Sequence, residues 1–210
     1  MTQREWSFIH RLHRPATADG STLVLLHGTG GDETDLMPLA AEIAPQAVLL
    51  GARGRSNTEG VNRWFRRLSM TTFDQADIAA EASAFASFMQ QAAADYELQA
   101  DRTVFLGYSN GANLLGALML LHPGLIRRAV LLRAMPVLDQ PPQADLTQTE
   151  VLMINGSADP YGVHASRLET LLRANGARLD ARTISAGHQL SRQDLDIVRE
   201  WITSSAALAI

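Results

Sequence analysis

In residues 104–116, VFLGYSNGANLLG, a single serine stands between Gly107 and Gly111 with apolar runs on both sides. A serine hydroxyl is a weak nucleophile at neutral pH. It attacks a carbonyl only when a neighbouring base takes its proton and a third group orients that base. A nucleophile on a sharp strand-to-helix turn leaves no room for side chains two positions away, which explains glycine on each side of Ser109. With 15 glycines in 210 residues, such a match arises by chance in roughly one chain in fifteen. The plainer alternative is a serine N-cap with two packing glycines. The decision rests on whether the chain also supplies partners.

On an α/β scaffold those partners follow in the order Ser, then Asp or Glu, then His. Asp159 stands in SADP, just past the apolar run EVLMING, and His188 in AGHQL, just past RLDARTIS. Other histidines fit poorly. His10 and His13 fall in the N-terminal segment, His122 closes a helix and His164 lies within one, so they read as surface or capping residues. Of the rival acids, Asp145 falls in a loop, Asp180 within a strand, and Asp101 before the serine.

Acyl transfer also needs N–H donors aimed at the charge that develops on the carbonyl oxygen. The backbone N–H of Asn110 follows the nucleophile directly. A second donor is expected from LLHGTGGDE, where Gly28, Gly30 and Gly31 let the backbone approach a ligand, and Thr29 N–H is the choice. That loop lacks the Gly-Lys-Ser/Thr ending of a phosphate-binding loop and the spacing of a dinucleotide fingerprint. His27 and Asp32 are too few for a metal site and no His-x-x-x-His pair exists, so neither metal nor cofactor is expected.

These residues need strands to deliver them. STLVLLHG, AVLL, RTVFLG, RRAVLL and EVLMING are short apolar runs suited to buried parallel strands, and RLDARTIS alternates. Between them lie helical segments: DLMPLAAEIA; residues 77–98; the nearly all-apolar NGANLLGALMLLHP; YGVHASRLETLLRANG, closed by Gly176; and LSRQDLDIVREWITSS. Residues 77–98 place Ile78, Ala82, Phe85, Met89, Ala92 and Tyr96 on one helical face, with Asp74 and Asp77 near its positive end. Residues 5–12 are expected to pair at the sheet edge. Strand alternating with helix predicts an α/β fold, a mostly parallel central sheet with helices on both faces. Ser109, Asp159, His188 and Thr29 would all sit at strand carboxyl ends, where such sheets gather function.

Composition narrows the field. At 210 residues the chain suits one domain spanning residues 1–210. A net charge of −4 gives no general attraction to nucleic acid or anionic membrane. With no cysteine, a disulfide framework, a thiolate metal site and a cysteine nucleophile are all excluded. MTQREWSFIHRLHRP lacks the apolar core of a signal peptide and no run approaches a membrane span. A soluble cytoplasmic protein is expected, monomer or homodimer being left open.

Taken in order, LLHGTGGDETDLMPLA, GYSNGA, NGSADP and AGHQL resemble the phospholipase/carboxylesterase family of α/β-hydrolases, which includes bacterial carboxylesterases and acyl-protein thioesterases. The resemblance spans essentially the whole chain. HGTGG, RWFRRL and GYSNGAN are most similar in style to small bacterial esterases, including those associated with hydroquinone and quinone stress. It implies Ser109 as nucleophile, His188 as base, Asp159 as its orienter, and the N–H groups of Thr29 and Asn110 as oxyanion donors. Acyl-protein thioesterases usually carry Gln after the serine and a Gly-Leu-Gly-Asp style loop. Asn110 and the Gly-Thr-Gly-Gly loop therefore point to ester hydrolysis rather than depalmitoylation.

Two long loops bear on the substrate, a small-molecule ester. Residues 132–151 are too short for a cap domain, so the site should be open. In NRWFRRL, Trp64 and Phe65 could line an acyl or aromatic pocket, while Arg63, Arg66 and Arg67 could attract an acidic substrate. The alternative packs the aromatics inward and leaves the arginines in solvent. Met135, with Pro136, would form an apolar rim. Thioesterase, lysophospholipase or amidase chemistry would use the same residues. A non-catalytic binding module on this fold would have no need of Asp159 and His188 together.

Overall fold

The computed structural model describes residues 5–206. The expectation about a leader at the chain start falls partly on residues 1–4, outside the described residues. Seven strands form one sheet in the order β1-β3-β2-β4-β5-β6-β7. They are β1 His10–His13, β2 Thr22–Leu26, β3 Val48–Ala52, β4 Thr103–Tyr108, β5 Arg128–Leu132, β6 Glu150–Gly156 and β7 Arg178–Ile184. All pairings are parallel except β1 with β3, an antiparallel edge. The predicted edge segment thus forms, but only its last three residues are strand, and the strand runs on to His13.

Strands β2 to β6 read as nearly unbroken apolar runs because both faces are covered, whereas β1 and β7 at the sheet edges do not. Side chains alternate across the pleat: Val24 and Leu26 enter one core with Phe105, Leu131 and Met153, while Leu23 and Leu25 enter the other with Leu106, Val130 and Leu152. Helices α2 Gln75–Asp95, α3 Asn110–Leu121 and α4 Ala165–Ala174 cover the first face, and α1 Met37–Ile43 and α5 Arg192–Ala206 the second.

Helix α2 buries the predicted face, Ile78, Ala82, Phe85, Met89 and Ala92. Its N-cap is Asp74, whose carboxylate accepts the N–H groups of Ala76 and Asp77. Eleven of the twelve residues of α3 are buried, as an all-apolar helix at mid-sheet requires. The segment between β5 and β6 holds no helix or strand, so no cap domain is inserted there. No helix among the described residues is long and apolar enough to cross a membrane.

Candidate active site

Ser109 follows β4 with φ +50° and ψ −113°. A non-glycine residue with positive φ is strained, and here the fold enforces it. Ser109 N–H is fixed to Leu132 O at 2.8 Å, and its carbonyl accepts Asn113 N–H at 2.9 Å. A Cβ at Gly107 would lie 2.6 Å from Ala112 N, and one at Gly111 would run into the carbonyls of Leu26 and His27. The turn therefore admits glycine alone at these positions. The Ser109 hydroxyl makes no capping bond to the helix it opens. Instead, Ser109 Oγ lies 3.0 Å from His188 Nε2.

His188 Nδ1 in turn lies 2.9 Å from Asp159 Oδ2. A carboxylate oxygen accepts, so Nδ1 carries the proton and Nε2 is left to receive one from Ser109. The other Asp159 oxygen accepts Tyr161 N–H at 2.9 Å, and the carboxylate is buried. The loops carrying acid and base are bonded to each other through Ser157 N–H to Ile184 O and Ala158 N–H to Ala186 O. Gly156 makes this possible, since a Cβ there would meet the carbonyls of Ala186 and Gly187. Tyr108 and Tyr161 flank the imidazole at 5.5 and 5.3 Å, and Tyr108 O–H donates to His188 O. Burial raises the Tyr108 pKa, which keeps that hydroxyl a donor.

Thr29 and Asn110 join Ser109 and His188 in lining one cavity of about 410 Å³, with Arg63, Arg67 and Met135 also on its wall. Met135 is on this wall, whereas Pro136 is not. Trp64 and Phe65 do not line it either. Both are fully buried in the core against Phe85 and Phe73, because large aromatic surface in a loop lying over α2 is more stable in that core than facing water. Arg66 points outward to Asp74.

Trp64 has a different task. Its indole N–H donates to His27 O at 2.9 Å, Arg63 Nη1 to Thr29 Oγ1 at 2.9 Å and Asn62 Nδ2 to Gly31 O at 2.9 Å. Three consecutive residues thus clamp the His27–Gly31 turn. Trp64 N–H also donates to Asn110 Oδ1, so the Asn110 side chain ties this clamp to α3. The buried His27 completes the turn. Gly54 N–H donates to its Nε2 at 3.0 Å, so Nδ1 carries the proton, 2.6 Å from Gly28 O. Burial lowers the His27 pKa.

Arg133 opens the segment RAMPV, which the sequence places just past a strand and near the nucleophile, but its ion pair was not foreseen. It lies just past β5 at φ +57°. Its guanidinium meets both oxygens of Asp194 and donates to Gly187 O and Gln189 O, on either side of His188. An arginine directly after an apolar strand was the only signal available. His10 is a smaller correction: rather than a surface group, it packs among Trp6, Phe88 and Tyr96 and shares a 2.7 Å hydrogen bond with Tyr96 Oη. Among the described residues, no group of three or more potential ligands is arranged to hold a metal ion.

Residues 9–206 match the family model described as Phospholipase/Carboxylesterase. The chain is similar to the crystal structure of a carboxylesterase from Mesorhizobium loti, at 48% identity and TM-score 0.92, covering 96% of this chain and 97% of that one. It is also similar to the Bacillus cereus carboxylesterase, at 30% identity and TM-score 0.89, over 94% of each chain. MhqD of Bacillus subtilis (strain 168), assigned to the hydrolases, is 33% identical over 192 residues, 90% of this chain and 96% of that protein. The seven-stranded sheet is that of an α/β-hydrolase.

Proposed function

The chain belongs to the phospholipase/carboxylesterase family of hydrolases, and from that premise we propose that it cleaves small carboxylic esters through Ser109, His188 and Asp159. The observation carrying this reading is the continuous relay from Ser109 Oγ to His188 Nε2 at 3.0 Å and from Nδ1 to Asp159 Oδ2 at 2.9 Å, with the serine raised on a strained turn.

Ser109 Oγ attacks the ester carbonyl while His188 Nε2 takes the hydroxyl proton. The carbonyl oxygen gains the negative charge and is held by the N–H groups of Thr29 and Asn110. Collapse breaks the bond to the alcohol, which leaves with the proton from His188, and an acyl-Ser109 ester remains. Water then attacks that ester, His188 takes a proton from the water and returns it to Ser109 Oγ, and the carboxylic acid departs. Asp159 holds the tautomer and balances the imidazolium charge, without itself becoming protonated.

The test is labelling of purified protein by a fluorophosphonate, beside hydrolysis of short p-nitrophenyl esters. Wild type should label and turn over, and Ser109→Ala should do neither. Equal labelling of Ser109→Ala, or ligand-induced thermal stabilisation with no turnover of any ester, would overturn the reading in favour of a binding module.

A further inference from the structure

Three guanidinium groups line the cavity beside Ser109, and they differ in their partners. Arg133 is held by both oxygens of Asp194, at 2.8 and 2.9 Å, and Arg67 by both oxygens of Glu59, at 3.1 and 2.5 Å. Arg63 has no such partner. Among the described residues it enters no ion pair, its Nη1 donates to the Thr29 hydroxyl, and its Nε is buried without an acceptor. Only 3% of Arg63 is exposed. No aspartate or glutamate lines the cavity among the described residues.

A guanidinium keeps its charge at any working pH, and a buried charge needs a counter-charge and satisfied hydrogen bonds. Holding Thr29 in place would require only a neutral donor. Arg63 has no ion-pair partner of its own, since Glu59, the carboxylate whose field reaches it, is bonded to Arg67, and the cavity's other two cations are already paired from outside it.

We infer that Arg63 binds a carboxylate of the substrate, so that the preferred esters are half-esters of short dicarboxylic acids. This rests on the esterase reading above. Arg63 touches Thr29, the residue whose N–H receives the acyl oxygen in that mechanism, so the carboxylate lies on the acyl side, a short chain away from the scissile carbonyl. Hydrolysis then yields a dicarboxylate and an alcohol. A planar fork of donors suits a carboxylate better than a point charge would.

The experiment compares monoethyl succinate with ethyl valerate, a pair of similar length differing in the terminal carboxylate, by ethanol release. Wild type should show the higher kcat/KM on monoethyl succinate. In Arg63→Gln the ratio of the two kcat/KM values should fall by roughly 10- to 100-fold, as for loss of a hydrogen bond to a charged group. Any general effect on catalysis cancels in that ratio. Arg67→Gln should lower it less, because Arg67 is already paired. Equal falls in both variants, an unchanged ratio in Arg63→Gln, or no wild-type preference for the half-ester would each overturn the inference. Should Arg63→Gln fail to fold, inhibition of wild type decides: glutarate should compete with ethyl valerate and glutaramide should not, and equal behaviour overturns it. Turnover of ethyl valerate without carboxylate preference sinks this inference alone, whereas no turnover and no fluorophosphonate labelling sinks the esterase reading with it.

Discussion

Arg133 and Asp194 form a fully buried two-point ion pair beneath the loop that carries His188, with Nη1–Oδ1 at 2.8 Å and Nη2–Oδ2 at 2.9 Å. The remaining donors of Arg133 reach Gly187 O and Gln189 O, while Asp194 Oδ2 accepts the N–H and hydroxyl of Ser191. Residues 187–191 are thereby fixed from below by one guanidinium and one carboxylate. The pair is a positioning device for the imidazole.

Breaking one side of it should therefore cost both stability and rate. Asp194→Asn leaves a buried guanidinium without its counter-charge, a defect worth about 3–5 kcal/mol. Urea unfolding should show that loss. If the loop then drifts, kcat on a short ester should fall while KM changes little, because the imidazole moves and the cavity wall does not. An Asp194→Asn enzyme with wild-type stability would refute the account of the pair.

Asp159→Asn tests the relay itself at nearly constant shape. An amide in place of the carboxylate can donate to Nδ1 and so favour the tautomer with its proton on Nε2, which cannot accept from Ser109. The expected loss in kcat is on the order of 10⁴-fold, with unfolding free energy changed far less. A loss under tenfold would remove Asp159 from the role assigned to it.

The succession of strands and helices and the three strand-end residues were legible in sequence for physical reasons. Parallel strands buried on both faces must be apolar nearly throughout, as β2 to β6 are, and Ser109, Asp159 and His188 stand within four residues of the ends of β4, β6 and β7. The function of NRWFRRL was not legible. Its residue types suit a pocket wall and a structural clamp equally, and only the fold determines that Trp64 faces Phe85 rather than the cavity. Arg133 was hidden for a related reason: its partner Asp194 is 61 residues away, and no local pattern links them.

Trp64→Phe separates clamp from wall. It keeps most of the buried aromatic surface and deletes the indole N–H that holds His27 O. With that acceptor left unsatisfied, stability should fall by about 1–3 kcal/mol, and kcat should drop for all acyl chains alike as the Thr29 turn loosens. A changed preference among acetyl, butyryl and hexanoyl esters, with stability intact, would restore the wall reading.

His27 makes the same turn sensitive to pH. Burial is the largest influence and lowers its pKa below the ordinary 6.5; the Gly28 carbonyl and the charges of Asp35 and Asp32 oppose this, and Arg53 adds to the lowering. The unfolded chain then binds a proton that the folded one refuses, so stability contributed by neutral His27 is complete above the unfolded pKa and drains away as pH falls toward the folded value. The structural cause is visible, since a proton on Nε2 would abolish the acceptor for Gly54 N–H. Urea unfolding at about pH 7.5 and pH 5.5 should show wild type losing more stability on acidification than His27→Gln, which has no titrating group there. Equal losses in the two proteins would mean that His27 does not couple the fold to pH in this window.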